Sequence, residues 1–571
     1  MIIALILGLA MCIPICDTKS VLVKLNNSFI VGKHCHTLFD KKPYVGFYNI
    51  PYAEPPLKEL RFKPPILLVD WLSQKTPYVY YNKETRRSPY FEEDCLYLSI
   101  FTPLTSNRKP VLIWLHDYSF WHGPDFFIDE EIVVVTVSFR KGIFGFLNTK
   151  DDIAEGNMGA KDIITAIKWL KVNIRFFNGD PERITVAGAG EAGTPVASML
   201  LAPVATNLVS GVILLSGNAL SPADYNDKND LILNKLYNKL GGFKKFNGKD
   251  LCELLINVTV DKLLSASRGL FDSSEVRDNQ RLINPFGCSL EMASKNPFMK
   301  RTPIEMYQRK AVNNVPVLIG YTSLQSLYKL KGLATNRQVL RSIDSNFQYL
   351  LPFEGKAEEY NSKKYKEIKK HIMQFYFLNG TIGERSLRRY AKYLTDIEIF
   401  PVVRQAVLQS NISSCPVYLY RFAFKGSLNI GWRNFVPNLN WSGATLDDEI
   451  CYLFKCKSLN HVYTRLDSSE RDFIKKFVRL LSNFIRLGNP TPQNKDKILH
   501  NLHWISLTKK HSTSTLKALN IGKRIRMRDL PEEDRIALLE AKVKAFSCPN
   551  PSTSLIASDY SNRIADSLWQ P

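Results

Sequence analysis

The stretch Ile184 to Pro203, ITVAGAGEAGTPVASMLLAP, constrains the fold more than any other. An apolar run (Ile184 to Ala187) leads into small residues (Gly188 to Gly193) and then into a helical segment (Val196 to Leu201). The glycines stand where a sharp strand-to-helix turn needs close backbone approach. Such a turn belongs at the carboxyl end of a buried parallel strand. Segments upstream agree with it. PVLIWLHDYSFWHG (Pro110 to Gly123) and EIVVVTVSFRKGIFGFL (Glu131 to Leu147) hold continuous apolar runs, as strands covered on both faces do, and EEDCLYLSIFTP (Glu92 to Pro103) alternates apolar and polar. Phe47 to Pro65 is punctuated by prolines and reads as extended chain. In GNMGAKDIITAIKWLKVNIRFFNGDP the residues Ile163, Ile164, Ile167, Leu170 and Ile174 recur at helical spacing, and Gly179 to Pro181 stops that helix. Strand, helix, strand, glycine turn and helix is the grammar of a doubly wound α/β sheet.

With 571 residues, 45% of them hydrophobic, the chain can bury one large core, and it carries no internal repeat or low-complexity tract. Met1 to Cys16 (MIIALILGLAMCIPIC) is an apolar run too short to span a membrane and placed like the core of a signal peptide, which predicts export. Cleavage after Ala10 would leave Cys12 and Cys16 in the mature chain, and cleavage after Cys16 would remove them. Five N-x-S/T sequons, at Asn26, Asn257, Asn379, Asn411 and Asn440, fit an exported glycoprotein. Cys35, Cys95, Cys252, Cys288, Cys415, Cys451, Cys456 and Cys548 form an even set compatible with disulfides in an oxidising compartment, with connectivity left open. No later segment is apolar enough to span a membrane, and residues 548–571 read as a polar tail with no GPI-type signal. The net charge of +22 predicts attraction to acidic surfaces. Much of the excess lies in Lys363 to His371, Arg385 to Tyr393 and Gly522 to Arg528, each of which is either a solvated face or a site for acidic glycans such as heparan sulfate. Nucleic acid is not expected, since no recognition motif is present.

The order and spacing of several blocks resemble the type B carboxylesterase and cholinesterase family of α/β-hydrolases. These are IPYAEPP with LRF, EDCLYL, VSFRKGIFGFL, GNMGAKD, FNGDPERITV, VILLSGN (Val212 to Asn218), VPVLIGYTS (Val315 to Ser323), CPVYLYRFAF (Cys415 to Phe424) and GATLDDEICYLF (Gly443 to Phe454). The resemblance implies one α/β-hydrolase domain over residues 17–547, with a large, mostly parallel sheet flanked by helices and a helical C-terminal part.

The chemistry of that family needs a serine, a histidine, an acid and backbone donors for the oxyanion. The resemblance assigns each a position here. The elbow, ITxFGESAG in the family, lies without a gap on ITVAGAGEA, which puts Gly190 at the serine; a one-residue slip would offer the Glu191 carboxylate instead. TSLQS places Gln325 where the acid belongs, and GATLDD places Leu446 where the histidine belongs. WLHDYSF sets Asp117, Tyr118 and Ser119 on the oxyanion glycines. Glycine cannot attack, leucine cannot move a proton, and an amide cannot act as an anion. Four parts of one mechanism are therefore replaced, and a pseudoenzyme is expected. Ser198, Ser216, His116 and His122 read as structural residues, and His34 and His36 around Cys35 are a weak metal signal, so neither a cofactor nor a metal is expected.

The family's disulfides are also disturbed, because Cys95 has only Cys35 upstream of it in the mature chain and Cys252 lacks a nearby upstream partner. Cys451 and Cys456 are either bridged or free. Relatives that lost the serine, similar to neuroligin, neurotactin and glutactin, serve in cell adhesion. The resemblance thus implies a secreted binding or adhesion-type protein whose partners are extracellular or cell-surface proteins. The alternatives are a carrier of a hydrophobic small molecule in the retained gorge and an active ester hydrolase with a relocated site. The segments Arg471 to Gly488 and Pro531 to Phe546 present apolar residues at helical spacing, for the chain's own core or for a homodimer through C-terminal helices.

Overall fold

The computed structural model describes residues 17–25, 28–68, 93–116, 122–221, 229–242, 248–270, 285–330, 336–351, 362–378, 380–431, 441–492, 496–507 and 515–547. The chain opens on an antiparallel ribbon of β1 (Asp17–Leu25), β2 (Ser28–His36), β3 (Pro43–Pro51) and β4 (Tyr97–Pro103). Then come β5 (Lys109–Leu115), β6 (His122–Gly123), β7 (Val133–Val137), β8 (Gly179–Gly188) and β9 (Gly211–Leu215). The series closes with β10 (Val317–Thr322), β11 (Val417–Phe422), β12 (Lys455–Cys456), β13 (Lys517–Ile521) and β14 (Ile525–Asp529). Twelve strands form one sheet in the order β1-β2-β3-β4-β7-β5-β8-β9-β10-β11-β13-β14, and β12 pairs with β6 apart from it. From β7 to β13 the neighbours are all parallel, whereas both margins are antiparallel. This is the α/β-hydrolase architecture expected from the sequence.

The packing helices are α1 (Met158–Asn173), α2 (Gly193–Met199), α3 (Lys363–Phe377), α4 (Leu387–Ile412), α5 (Ser468–Leu487) and α6 (Glu533–Ser547). Side chains alternate across each central strand and so divide between two cores. Val111 and Ile113 of β5 join Ile163 and Ile167 of α1, Val196 of α2 and Val403 of α4 on one face. Leu112 and Trp114 join Phe473, Phe477, Leu481 and Phe484 of α5 on the other. Continuous apolar runs are what strands covered on both faces require, so β5 and β7 were legible. Strand β8 begins at Gly179, five residues before the run at Ile184, because Lys109 at the start of β5 pairs with Gly179 across a register shift.

The apolar residues of α5 are buried in this same chain, and Leu539 of α6 is fully buried. Core packing accounts for the apolar residues of α5 named above and for Ile536 and Leu539 of α6, whereas Leu538 and Val543 are half-buried. Cys451 and Cys456 are bridged, whereas Cys95 is a buried free thiol, so it forms no bridge to Cys35. Cys35 places its sulfur 4.0 Å from the Tyr48 hydroxyl. Among the described residues, no helix is long and apolar enough to cross a membrane. Residues 1–16, the C-terminal tail, and Asn26, Asn379 and Asn440 lie outside the described residues. Asn257 ends the helix Gly248–Asn257, and Asn411 lies in the last turn of α4; both are exposed.

Candidate functional site

The carboxyl ends of the parallel strands carry the positions singled out in the sequence, as expected for a doubly wound sheet. Immediately after β8 the chain turns at Gly190 with φ of +60° and enters α2. Two close approaches make this turn possible. A Cβ on Gly193 would lie 2.7 Å from Cα of Gly217, and one on Gly188 would lie 2.8 Å from Val196. The left-handed residue at the apex is Gly190, so the strained position of a nucleophile elbow falls on residue 190, in the gap-free register.

Gln325 follows β10 and is buried. Its backbone carbonyl accepts from the Leu446 N–H and from the Thr445 hydroxyl, each at 3.1 Å. The Leu324 N–H donates to Ala444 at 2.8 Å, and the Ala444 N–H to the Ser323 hydroxyl at 3.0 Å. Two loops far apart in sequence are thus joined by two main-chain bonds and two bonds made by the Ser323 and Thr445 hydroxyls, which makes Gln325 and Leu446 neighbours. Asp448 fixes the turn after Leu446 by accepting from the N–H groups of Thr445 and Gly431 at 2.8 and 2.9 Å.

The oxyanion segment, with Asp117, Tyr118 and Ser119, lies outside the described residues, but both its flanks are present. His116 follows β5 and stacks on Trp114 with an interplanar angle of 3°. His122 lies on β6, and its Nδ1 accepts from the Trp114 indole N–H at 3.1 Å. Burial and the neighbouring His116 hold the His122 imidazole well below its ordinary pKa, so it is a neutral acceptor in a packed aromatic cluster with Phe454. Sequence reasoning missed the acidic group beside this cluster. Asp447, with φ of +67°, sets its Oδ2 3.6 Å from His116 Nε2, too long for a hydrogen bond but within electrostatic reach. Glu449 is buried, and burial together with Asp447 pushes its carboxyl well above the usual range, favouring the neutral acid. The run DDE at 447–449 was the signal available for this group.

Ser198 is buried within α2, and Ser216 follows β9 with φ of +60°. Among the described residues, neither hydroxyl is in a hydrogen bond with a histidine. His34 and His36 fall on one side of β2 with Cys35 between them, and among the described residues no group of three metal-ligating side chains is assembled.

The model of the carboxylesterase family matches residues 19–538. Juvenile hormone esterase of Tribolium castaneum is 26% identical over 512 residues, covering 82% of this chain and 83% of that protein. A carboxylic ester hydrolase of Bombus ignitus is 28% identical over 412 residues, covering 67% of this chain and 71% of that protein. Among solved structures, juvenile hormone esterase from Manduca sexta superposes with a TM-score of 0.73 at 21% identity, covering 92% of this chain and 99% of that one, which establishes the shared fold. With its twelve-stranded sheet, its glycine elbow and a match over most of its length, the chain belongs to the carboxylesterase family.

Proposed function

We propose that this protein is a secreted, catalytically inactive carboxylesterase-family member that acts as an extracellular binding protein of adhesion type. One juxtaposition supports the proposal: Gly190, Gln325 and Leu446, which the family resemblance assigns to nucleophile, acid and base, lie on an elbow-shaped turn and on two loops that are hydrogen-bonded to each other. None of these side chains can attack a carbonyl, carry a negative charge or move a proton. A binding role keeps a use for the large folded surface, and the excess of basic residues favours acidic partners. Kinship with juvenile hormone esterases supports a second role, carriage of an apolar small molecule without hydrolysis.

Turnover of short-chain nitrophenyl esters by the purified protein is the test. The expected result is no rate above buffer, and no gain from Gly190→Ser alone because no base stands at Leu446. Wild-type turnover that is abolished by His116→Ala would overturn the proposal in favour of a relocated site built on His116 and Asp447. Export is checked by N-terminal sequencing of protein recovered from culture medium and by a mobility shift on glycosidase treatment; retention inside the cell would refute it.

A further inference from the structure

Two of the three basic runs, about 130 residues apart in sequence, meet at one open cleft of about 1820 Å³. Its walls come from the start of α4 (Arg388), the chain after β11 (Phe424 and Lys425), the start of α5, the turn between β13 and β14 (Lys523 and Arg524) and the start of β14 (Arg526). The cleft sits beyond the carboxyl ends of β11 and β13, and Trp441, Ser442 and Gly443 form the side that adjoins the Leu446 loop. Its volume exceeds that of an ordinary small-molecule pocket, roughly 300–1,000 Å³.

The charges lining it are unequally engaged. Each of its three acidic residues is used within the chain. Asp467 accepts from the Glu470 N–H at 2.8 Å as the cap of α5, Glu470 accepts from the Ser427 N–H, and Asp472 pairs with Lys476 at 2.7 Å. Lys425 donates to the Trp441 carbonyl at 2.9 Å. Arg388, Lys523, Arg524 and Arg526 are exposed and have no ion-pair partner among the described residues. Phe424 and Phe473 also line the cleft, both buried and stacked on each other at 3.8 Å between ring centroids.

We infer that this cleft binds a sulfated glycosaminoglycan chain. Three guanidinium forks suit oxyanion recognition, and four exposed cations from two separate elements, with no ion-pair partner among the described residues, suit a ligand with several fixed anions along a short length. Sulfated sugars carry such anions densely and stay ionised at every physiological pH. The inference rests on the extracellular role proposed above only in that such glycans are extracellular, and it names the surface that would engage them.

The test compares the wild-type chain with Lys523→Glu/Arg524→Glu/Arg526→Glu and with Lys363→Glu/Lys366→Glu/Lys370→Glu on α3, which makes the same change in net charge. Binding to immobilised heparin is measured over a salt series, with a circular dichroism melt to confirm folding. The cleft variant is expected to lose affinity by about tenfold or more and to lower the salt slope by about three, one per cation, while the α3 variant loses less than about threefold. Equal losses in the two variants would mean net charge alone and overturn the assignment. So would competition by a polyglutamate peptide or by desulfated heparin as effective as that of heparin itself. Retention of purified protein reports on the cleft alone, whereas export and ester hydrolysis report on the binding-protein proposal, so the two can fail separately.

Discussion

If the elbow is held by backbone contact, the smallest possible side chain should break it at one glycine and be tolerated at its neighbour. Gly193 opens α2, and a Cβ there would stand 2.7 Å from the Gly217 Cα, with the Gly217 nitrogen next at 3.5 Å. Carbon atoms pack best at about 3.5–4.0 Å, so roughly 1 Å of separation must be found between two main-chain segments. No side chain can swing aside to supply it. Overpacking a close-packed site costs about 1–3 kcal/mol, and rigid backbone on both sides puts Gly193→Ala at about 3, a change of roughly two orders of magnitude in the folded to unfolded ratio. Gly190 differs. Its φ of +60° penalises an L-residue by about 1–2 kcal/mol, and the loss of unfolded-state freedom returns about 0.4–1, leaving a net cost near 1. Urea midpoints followed by tryptophan fluorescence measure both. A Gly193→Ala variant as stable as Gly190→Ala, or within about 0.5 kcal/mol of wild type, would refute the close contact and with it the register that puts Gly190 at the apex.

Three further outcomes are expected. Asp162 is fully buried and accepts from the Arg140 N–H, Nε and Nη2 at 3.0, 2.9 and 2.7 Å; Asp162→Asn strands the guanidinium and should cost about 3–5 kcal/mol by urea denaturation. Burial raises the Asp129 carboxyl from 3.8 to about 6, so the folded state holds the extra proton in that window and stability should fall as pH rises through it. Asp129→Asn should flatten that fall in urea midpoints taken from pH 4 to 7. The Cys451–Cys456 bridge closes a loop of sequence separation 5, and replacing both by alanine should cost about 2 kcal/mol on the chain-entropy estimate, read from the thermal midpoint.

What could be read from the sequence was local, and what could not was convergence. Continuous apolar runs betrayed β5 and β7 because a strand covered on both faces has no polar side to alternate, and helical spacing betrayed α1 for the same kind of reason. Periodicity says which face of a helix is apolar but not what covers it, so α5 could be read as core or as dimer surface until its phenylalanines were found against Phe422 and Phe424. Cysteine counting likewise left Cys95 and Cys451 open, since pairing depends on distance in space. The meeting of Arg388 with Arg524 and the approach of Asp447 to His116 are also long-range facts. The candidate site shows why side-chain chemistry and loop geometry can part company. Gln325 is tied to Leu446 by its own carbonyl, a bond that survives any non-proline residue at either position, and the elbow is shaped by Gly188, Gly193 and Gly217 rather than by the residue at its apex. A loop fixed through its main chain leaves its side chains free to change. On that physical ground the proposed reading needs no change of fold: glycine, glutamine and leucine can stand at these three positions without disturbing the main chain that shapes the loops.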